Sequence, residues 1–167
     1  MLTLTTNIFM KDFQHLYGNC VVPSIALTCL SQIIEGDLAQ MLYKELFPLF
    51  TCSQPVIRKK VCALCYKIYI HSSENEHIIE EMVPYLSDRL KDSDLSVKMT
   101  AISTIYEISK IDPAMFVVTI PVVYQLLCEV NNNWVLIKII KLLTEFCNVE
   151  PRLKMKLRPK FQDLLES

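Results

Sequence analysis

Four prolines constrain this chain more than any other feature. Pro48, Pro84, Pro121 and Pro159 stand 36, 37 and 38 residues apart, each within an apolar stretch that otherwise reads as helix. A proline inside a helix removes one backbone hydrogen bond and bends the rod. A near-constant spacing of such bends points to a structural unit of 36 to 40 residues used several times over, the mark of a helical repeat array.

A second series has the same period. Ile57, Val61, Leu64, Cys65 and Ile68 fall on one helical face, as do Val97, Ala101, Thr104, Ile105 and Ile108, and again Val135, Ile139, Leu142, Leu143 and Phe146. These are three copies of one amphipathic helix, offset by 40 and 38 residues. An earlier copy is expected to run from Pro23 through Ile25, Cys29 and Ile33. The chain has only two glycines, too few for the tight hairpins of a sheet, so the fold is expected to be all-α.

The punctuation fits this register. Ser53 and Asp94 are placed as N-caps, and Asp112-Pro113 and Glu150-Pro151 put proline where a first-turn residue needs no donor. Gly36 is expected to close one helix in a left-handed conformation, with Asp37 and Gln40 opening the next. The resulting expectation is a first row of helices near 37–50, 76–91, 113–129 and 151–165. A second row is expected near 23–35, 55–71, 94–110 and 132–148.

The stretch from Val83 to Ala101, with a proline-bent first helix, the acidic turn Asp92-Ser93-Asp94 and the pair Val97-Lys98 opening the second helix, resembles the HEAT consensus. The fold class expected is therefore an α-solenoid of HEAT or armadillo-like helix pairs wound as a right-handed superhelix. Such pairs bury their apolar faces on the pairs before and after. Residues 1–167 are read as a single solenoid fragment of about four helix pairs, incomplete at both ends.

Within that class, Leu4-Thr5-Thr6-Asn7, Pro55-Val56-Ile57-Arg58-Lys59-Lys60 with Tyr66-Lys67, and Asn132-Asn133-Trp134-Val135-Leu136-Ile137-Lys138-Ile139-Ile140-Lys141-Leu142 followed by Glu150-Pro151-Arg152-Leu153 resemble the N-terminal trunk of the large adaptins. The Trp-containing run is most similar to the delta type of large subunit of the third adaptor-protein complex. The resemblance implies a subunit of a heterotetrameric vesicle coat that sorts cargo from Golgi and endosomes toward lysosome or vacuole. It implies as partners a sigma-type small subunit, a beta-type large subunit and a small GTPase, with peripheral membrane association through the complex in the cytoplasm. The alternative is a general HEAT scaffold of a phosphatase or nuclear-transport complex.

Arg58, Lys59 and Lys60 are the candidate contacts to a partner or a phosphate, since a local cationic cluster attracts anions even on a chain of net charge −1. The competing reading is a solvated helix start. The basic series Arg152, Lys154, Lys156, Arg158 and Lys160 alternates with Leu153, Leu157, Phe161, Leu164 and Leu165 and reads as the wet side of a packed helix. Trp134 is expected in the core, because Val135, Leu136, Ile137, Ile139 and Ile140 make its helix apolar around most of its circumference.

Cys62 and Cys65 have the spacing of half a zinc site, but no second pair completes it, and they are read as small packing residues. The near-neutral charge gives no electrostatic footprint for nucleic acid. No phosphate-cradling glycine loop or nucleophile elbow is present. The chain is expected to be no enzyme, with no cofactor and no metal.

Overall fold

The computed structural model of the chain describes residues 2–14, 20–71, 76–130 and 132–166. Among these, every regular element is helical: α1 (Leu2–Gln14), α2 (Val21–Ile33), α3 (Gly36–Phe50), α4 (Pro55–His71), α5 (Glu76–Asp88), α6 (Leu95–Ser109), α7 (Ile120–Glu129), α8 (Asn133–Val149) and α9 (Arg152–Glu166). Short 3₁₀ turns at Arg89–Lys91 and Val117–Thr119 precede α6 and α7. The contacts divide the chain into two compact units, residues 1–104 and 105–167.

In the first unit α1, α3 and α5 pack side by side as one row, α2 packs on α4 as the other, and α3 and α5 both pack on α4. This is the stacked helix-pair arrangement that the proline period predicts. Aromatic rings join α3 to α5: Phe47 stacks on Tyr85 with centroids 4.5 Å apart. Tyr43 meets Phe47 edge-on and donates a hydrogen bond to Glu81 Oε1 at 3.3 Å. In the second unit α8 packs against both α7 and α9.

All three aligned amphipathic series are buried on their expected face, from Ile57 and Val61 through Val97 and Ala101 to Val135 and Phe146. Each large side chain fully withdrawn from water there contributes about 1.5–3 kcal/mol. The helix starts are built as the sequence implies at Asp94, whose Oδ1 accepts from Ser96 N at 2.8 Å and Val97 N at 3.1 Å. Pro55 opens α4, where its missing donor leaves no bond unmade.

The structure departs from the sequence expectation in four places. α2 buries Pro23, Ala26, Leu27 and Leu30, not Ile25, Cys29 and Ile33, which are exposed. This helix is apolar on both sides, so periodicity alone could not choose the face. Gly36 does not adopt a positive φ and lies in the first turn of α3. Residues 2–14, where the pattern predicts only the end of a helix, form the 13-residue α1.

The fourth departure is the helix expected over 113–129, which begins only at Ile120. Asp112 Oδ1 accepts from Ala114 N, the chain dips so that Phe116 is fully buried, and both Thr119 N and Oγ1 donate to Phe116 O. Pro121, lacking an N–H for the preceding turn, then occupies the first turn of α7. Pro48, Pro84 and Pro159 lie inside their helices, as expected.

Candidate interaction surfaces

Arg58, Lys59 and Lys60 are consecutive in α4 and therefore diverge by roughly 100° per residue. Arg58 turns inward. Its Nε and Nη2 donate to the two carboxylate oxygens of Asp92, both at 2.7 Å, and its Nη1 donates to Cys52 O at 2.7 Å and Ser53 O at 3.0 Å. The guanidinium thus joins the turn before α4 to the turn before α6. The fork is thereby committed to one carboxylate and two carbonyls of its own chain.

Asp92 is the residue that the pattern missed. Its side chain is only 1% exposed, and it also accepts from Arg89 Nη1 at 3.1 Å and from Asp94 N at 2.9 Å. The Arg58 hydrogen bonds hold its carboxyl below the usual carboxylate range, while burial works the other way. The same pairing holds the Arg58 guanidinium above its ordinary value. A cleft of about 450 Å³ opens beside the pair, bordered by Thr51, Arg58, Arg89 and Lys91. The signal for Asp92 was present in the acidic turn at 92–94, but nothing in one sequence says that it answers an arginine 34 positions earlier.

Lys60 reaches across to α2, donating to Ser24 O at 2.9 Å and Thr28 Oγ1 at 2.6 Å. Lys59 faces outward and is exposed. It shares that side of α4 with exposed Val56, Lys67 and Ile70. The three-residue cluster is thus two internal ties and one outward charge.

Trp134 is not in the core. It is 76% exposed, a correction to the sequence expectation. The register explains the error: the row Val135, Ile139, Leu142, Leu143 and Phe146 buries one side of α8, and Trp134 precedes that row by about 100°. An apolar circumference does not mean burial all round. In α9, Leu153 and Leu157 are buried while Arg152, Lys154, Lys156 and Arg158 are exposed, as the amphipathic reading has it. The side chains of Leu164 and Leu165 lie outside the described residues.

Cys62 and Cys65 behave as packing groups, whereas Cys29 and Cys128 are exposed. Cys62 and Cys65 are buried, Cys65 Sγ donates to Val61 O at 3.3 Å, and burial pushes the Cys62 thiol up to about 12. Thiols so far from their anionic form are poor nucleophiles. His71 and His77 are exposed, and His77 packs edge-on against Tyr43; His15 lies outside the described residues. Among the described residues, no helix is long and apolar enough to cross a membrane. No group of three or more His, Cys, Asp or Glu among them could hold a metal ion.

Comparison with known proteins agrees with this architecture. The chain is 36% identical over 168 residues to the AP-3 complex subunit delta of Saccharomyces cerevisiae and 34% identical to that of Eremothecium gossypii, in both cases along 100% of this chain and 18% of the relative. It is 33% identical to the AP-3 complex subunit delta-1 of Bos taurus, again along 100% of this chain and 13% of the relative. The chain therefore spans less than a fifth of the length of these relatives. The family described as Adaptin N terminal region matches residues 1–167, and with stacked helix pairs beneath that match the chain belongs to the adaptin N-terminal family.

Proposed function

We propose that residues 1–167 work as one section of the trunk of a large adaptor-complex subunit of the AP-3 delta type, a structural part of a vesicle coat. The observation that carries this reading is that the similarity to three delta subunits runs along the whole of this chain. In this role the section holds a sigma-type small subunit, packs near a beta-type large subunit, and reaches Golgi and endosomal membranes from the cytosol with the help of a small GTPase. Its work is sorting cargo toward lysosome or vacuole, and it is done by binding, without catalysis.

The physical case rests on what a stack of helix pairs supplies. Buried rows fix the helices, and the residues opposite those rows are presented on a rigid frame. On α4 these include Lys59 and Lys67 with Val56 and Ile70, a mixture of charge and apolar surface suited to a protein partner or, at Lys59, to a phosphate group. Membership of the adaptin family favours this role over a phosphatase or nuclear-transport scaffold.

Co-expression of the chain with a matched AP-3 sigma-type subunit tests the proposal. The expected result is a complex that co-elutes on size exclusion and raises the unfolding temperature of the chain, because a partner that binds only the folded state stabilises it. Separate elution at micromolar concentrations, with no thermal shift, would overturn it.

A further inference from the structure

The longest series of cations unbroken by a carboxylate lies in α9. Between Glu150 and Asp163 the sequence carries Arg152, Lys154, Lys156, Arg158 and Lys160 and no acidic residue. Several cations elsewhere are used within the chain: Arg58 and Arg89 pair with Asp92, Lys60 is tied to α2, and Lys110 pairs with Glu107. Among the described residues, none of the five cationic side chains of α9 makes an ion pair or a hydrogen bond. The neighbouring Glu150 accepts from the backbone N of Arg152, at 3.3 Å.

The series is arranged about an apolar centre. Met155 lies opposite buried Leu153 and Leu157 and is 77% exposed. At about 100° per residue, Arg152 and Lys156 stand about 60° and 100° to one side of Met155, and Arg158 and Lys154 stand at the same angles on the other. All four are exposed. A largely apolar cleft runs beside each pair. One, of about 480 Å³, is lined by Ile120, Tyr124 and Leu153 with Arg152, Lys156 and Glu150. The other, of about 440 Å³, is lined by Cys147, Leu157 and Phe161 with Lys154 and Arg158, and no carboxylate borders it.

We propose that this side of α9 rests on the surface of a bilayer containing anionic lipid, with Met155 entering the headgroup layer and the four flanking cations meeting lipid phosphates. The breadth of the series decides among occupants. Cations spread over about 200° around Met155 can all meet a flat surface, because long basic side chains bend toward it from both flanks, whereas an extended peptide engages one flank. A second copy would set cations against cations, at a repulsive cost. A nucleic-acid backbone would answer the charge but leave Met155 unused. Each Lys or Arg near an anionic bilayer strengthens adsorption by roughly fivefold, so the four together can hold a chain whose net charge of −1 gives no general attraction. The coat reading brings this section to membranes through its partners, and direct lipid contact goes beyond it.

Co-sedimentation of the folded chain with phosphatidylcholine vesicles, with and without phosphatidylserine, tests the proposal. The assay contains no partner subunit, so its outcome is independent of co-elution with a sigma-type subunit. Binding is expected only to vesicles that contain phosphatidylserine and should weaken as salt rises. The double variants R152Q/K156Q and K154Q/R158Q should each lose at least tenfold in affinity, and M155S should bind more weakly than the parent. The variant K11Q/K91Q, which removes two exposed lysines of the first unit, should bind as the parent does. Because all these side chains are exposed, the four variants should keep the parent unfolding temperature.

Equal binding to neutral vesicles, no binding to either kind, unchanged affinity in the α9 variants, or an equal loss in K11Q/K91Q would overturn the proposal. Tighter binding to polyuridylate or to polyglutamate than to the vesicles would assign the face to nucleic acid or to an acidic protein segment and overturn it as well. So would a dimer of the parent chain abolished by M155S, which would assign the face to a second copy.

Discussion

Replacing Asp92 by alanine should be among the most damaging single changes in the first unit. The carboxylate is 1% exposed and accepts four hydrogen bonds, two of them from an Arg58 side chain that is itself 9% exposed. Removing it leaves the Arg58 guanidinium buried with two carbonyl partners and only the more distant Asp94 carboxylate as counter-charge. Breaking a buried pair from one side typically costs about 3–5 kcal/mol. In a chain of this size about 1 kcal/mol moves the midpoint by roughly 2–4 °C. D92A should therefore lower the unfolding temperature by roughly 6–20 °C.

The companion variants separate the charge from the frame. R58K should lose the two-pronged geometry and cost nearly as much as D92A, because an ammonium cannot serve both carboxylate oxygens and the Cys52 and Ser53 carbonyls from one position. The double variant R58M/D92L removes both charges and should recover at least half of the D92A loss, as apolar replacements of buried pairs often do. Thermal unfolding by circular dichroism measures all three. A D92A loss below about 1 kcal/mol would put the pair in the class of solvent-screened surface bridges and refute the reasoning.

The acid limb of stability should carry the signature of the same residue. Because the folded-state value of Asp92 lies below its unfolded value of about 3.9, its contribution is complete above that pH and is lost as pH falls through the folded value. The drop in unfolding temperature between about pH 4 and pH 2 should accordingly be shallower in D92N than in the parent chain. W134A should change stability by less than about 0.5 kcal/mol in urea titration, as an exposed position requires. F116A, which empties a fully buried aromatic site in the turn before α7, should cost about 3–5 kcal/mol in the same assay.

The repeat was legible because it is written in local terms. A proline bend, an acidic cap and an apolar row at helical spacing each express a rule of a few residues, and their recurrence at 36 to 40 positions reports the stacking. The expected ranges for α3, α4, α6, α8 and α9 agree with the structure to within a residue or so at each end. α2 failed differently: with valine, isoleucine and leucine on both sides, its hydrophobic pattern has two solutions, and only the neighbours α1 and α4 decide between them. The turn around Phe116 failed because one aromatic side chain drew the chain inward, which no helical periodicity records.

The candidate site was less legible, and Arg58 and Trp134 show why. The local sequence offers Arg58 as one of a cationic cluster and Trp134 as one residue of a helix apolar around most of its circumference, and neither pattern carries the helical phase. Which way a side chain points depends on about 100° of helical phase and on partners distant in sequence, and for Trp134 the phase reversed the assignment. Arg58 is turned to a carboxylate 34 positions away, and Trp134 is turned to solvent by the row that begins immediately after it. In a stack of helix pairs the buried rows repeat because every unit needs them, whereas the outward rows are free to differ. Val56, Lys59 and Ala63 on α4, and Ser96, Met99 and Ser103 on α6, stand at the register positions that Trp134, Ile137 and Lys141 occupy on α8. Specific recognition in such a fold therefore has to be sought where the repeat pattern breaks, and on α8 it breaks at the tryptophan.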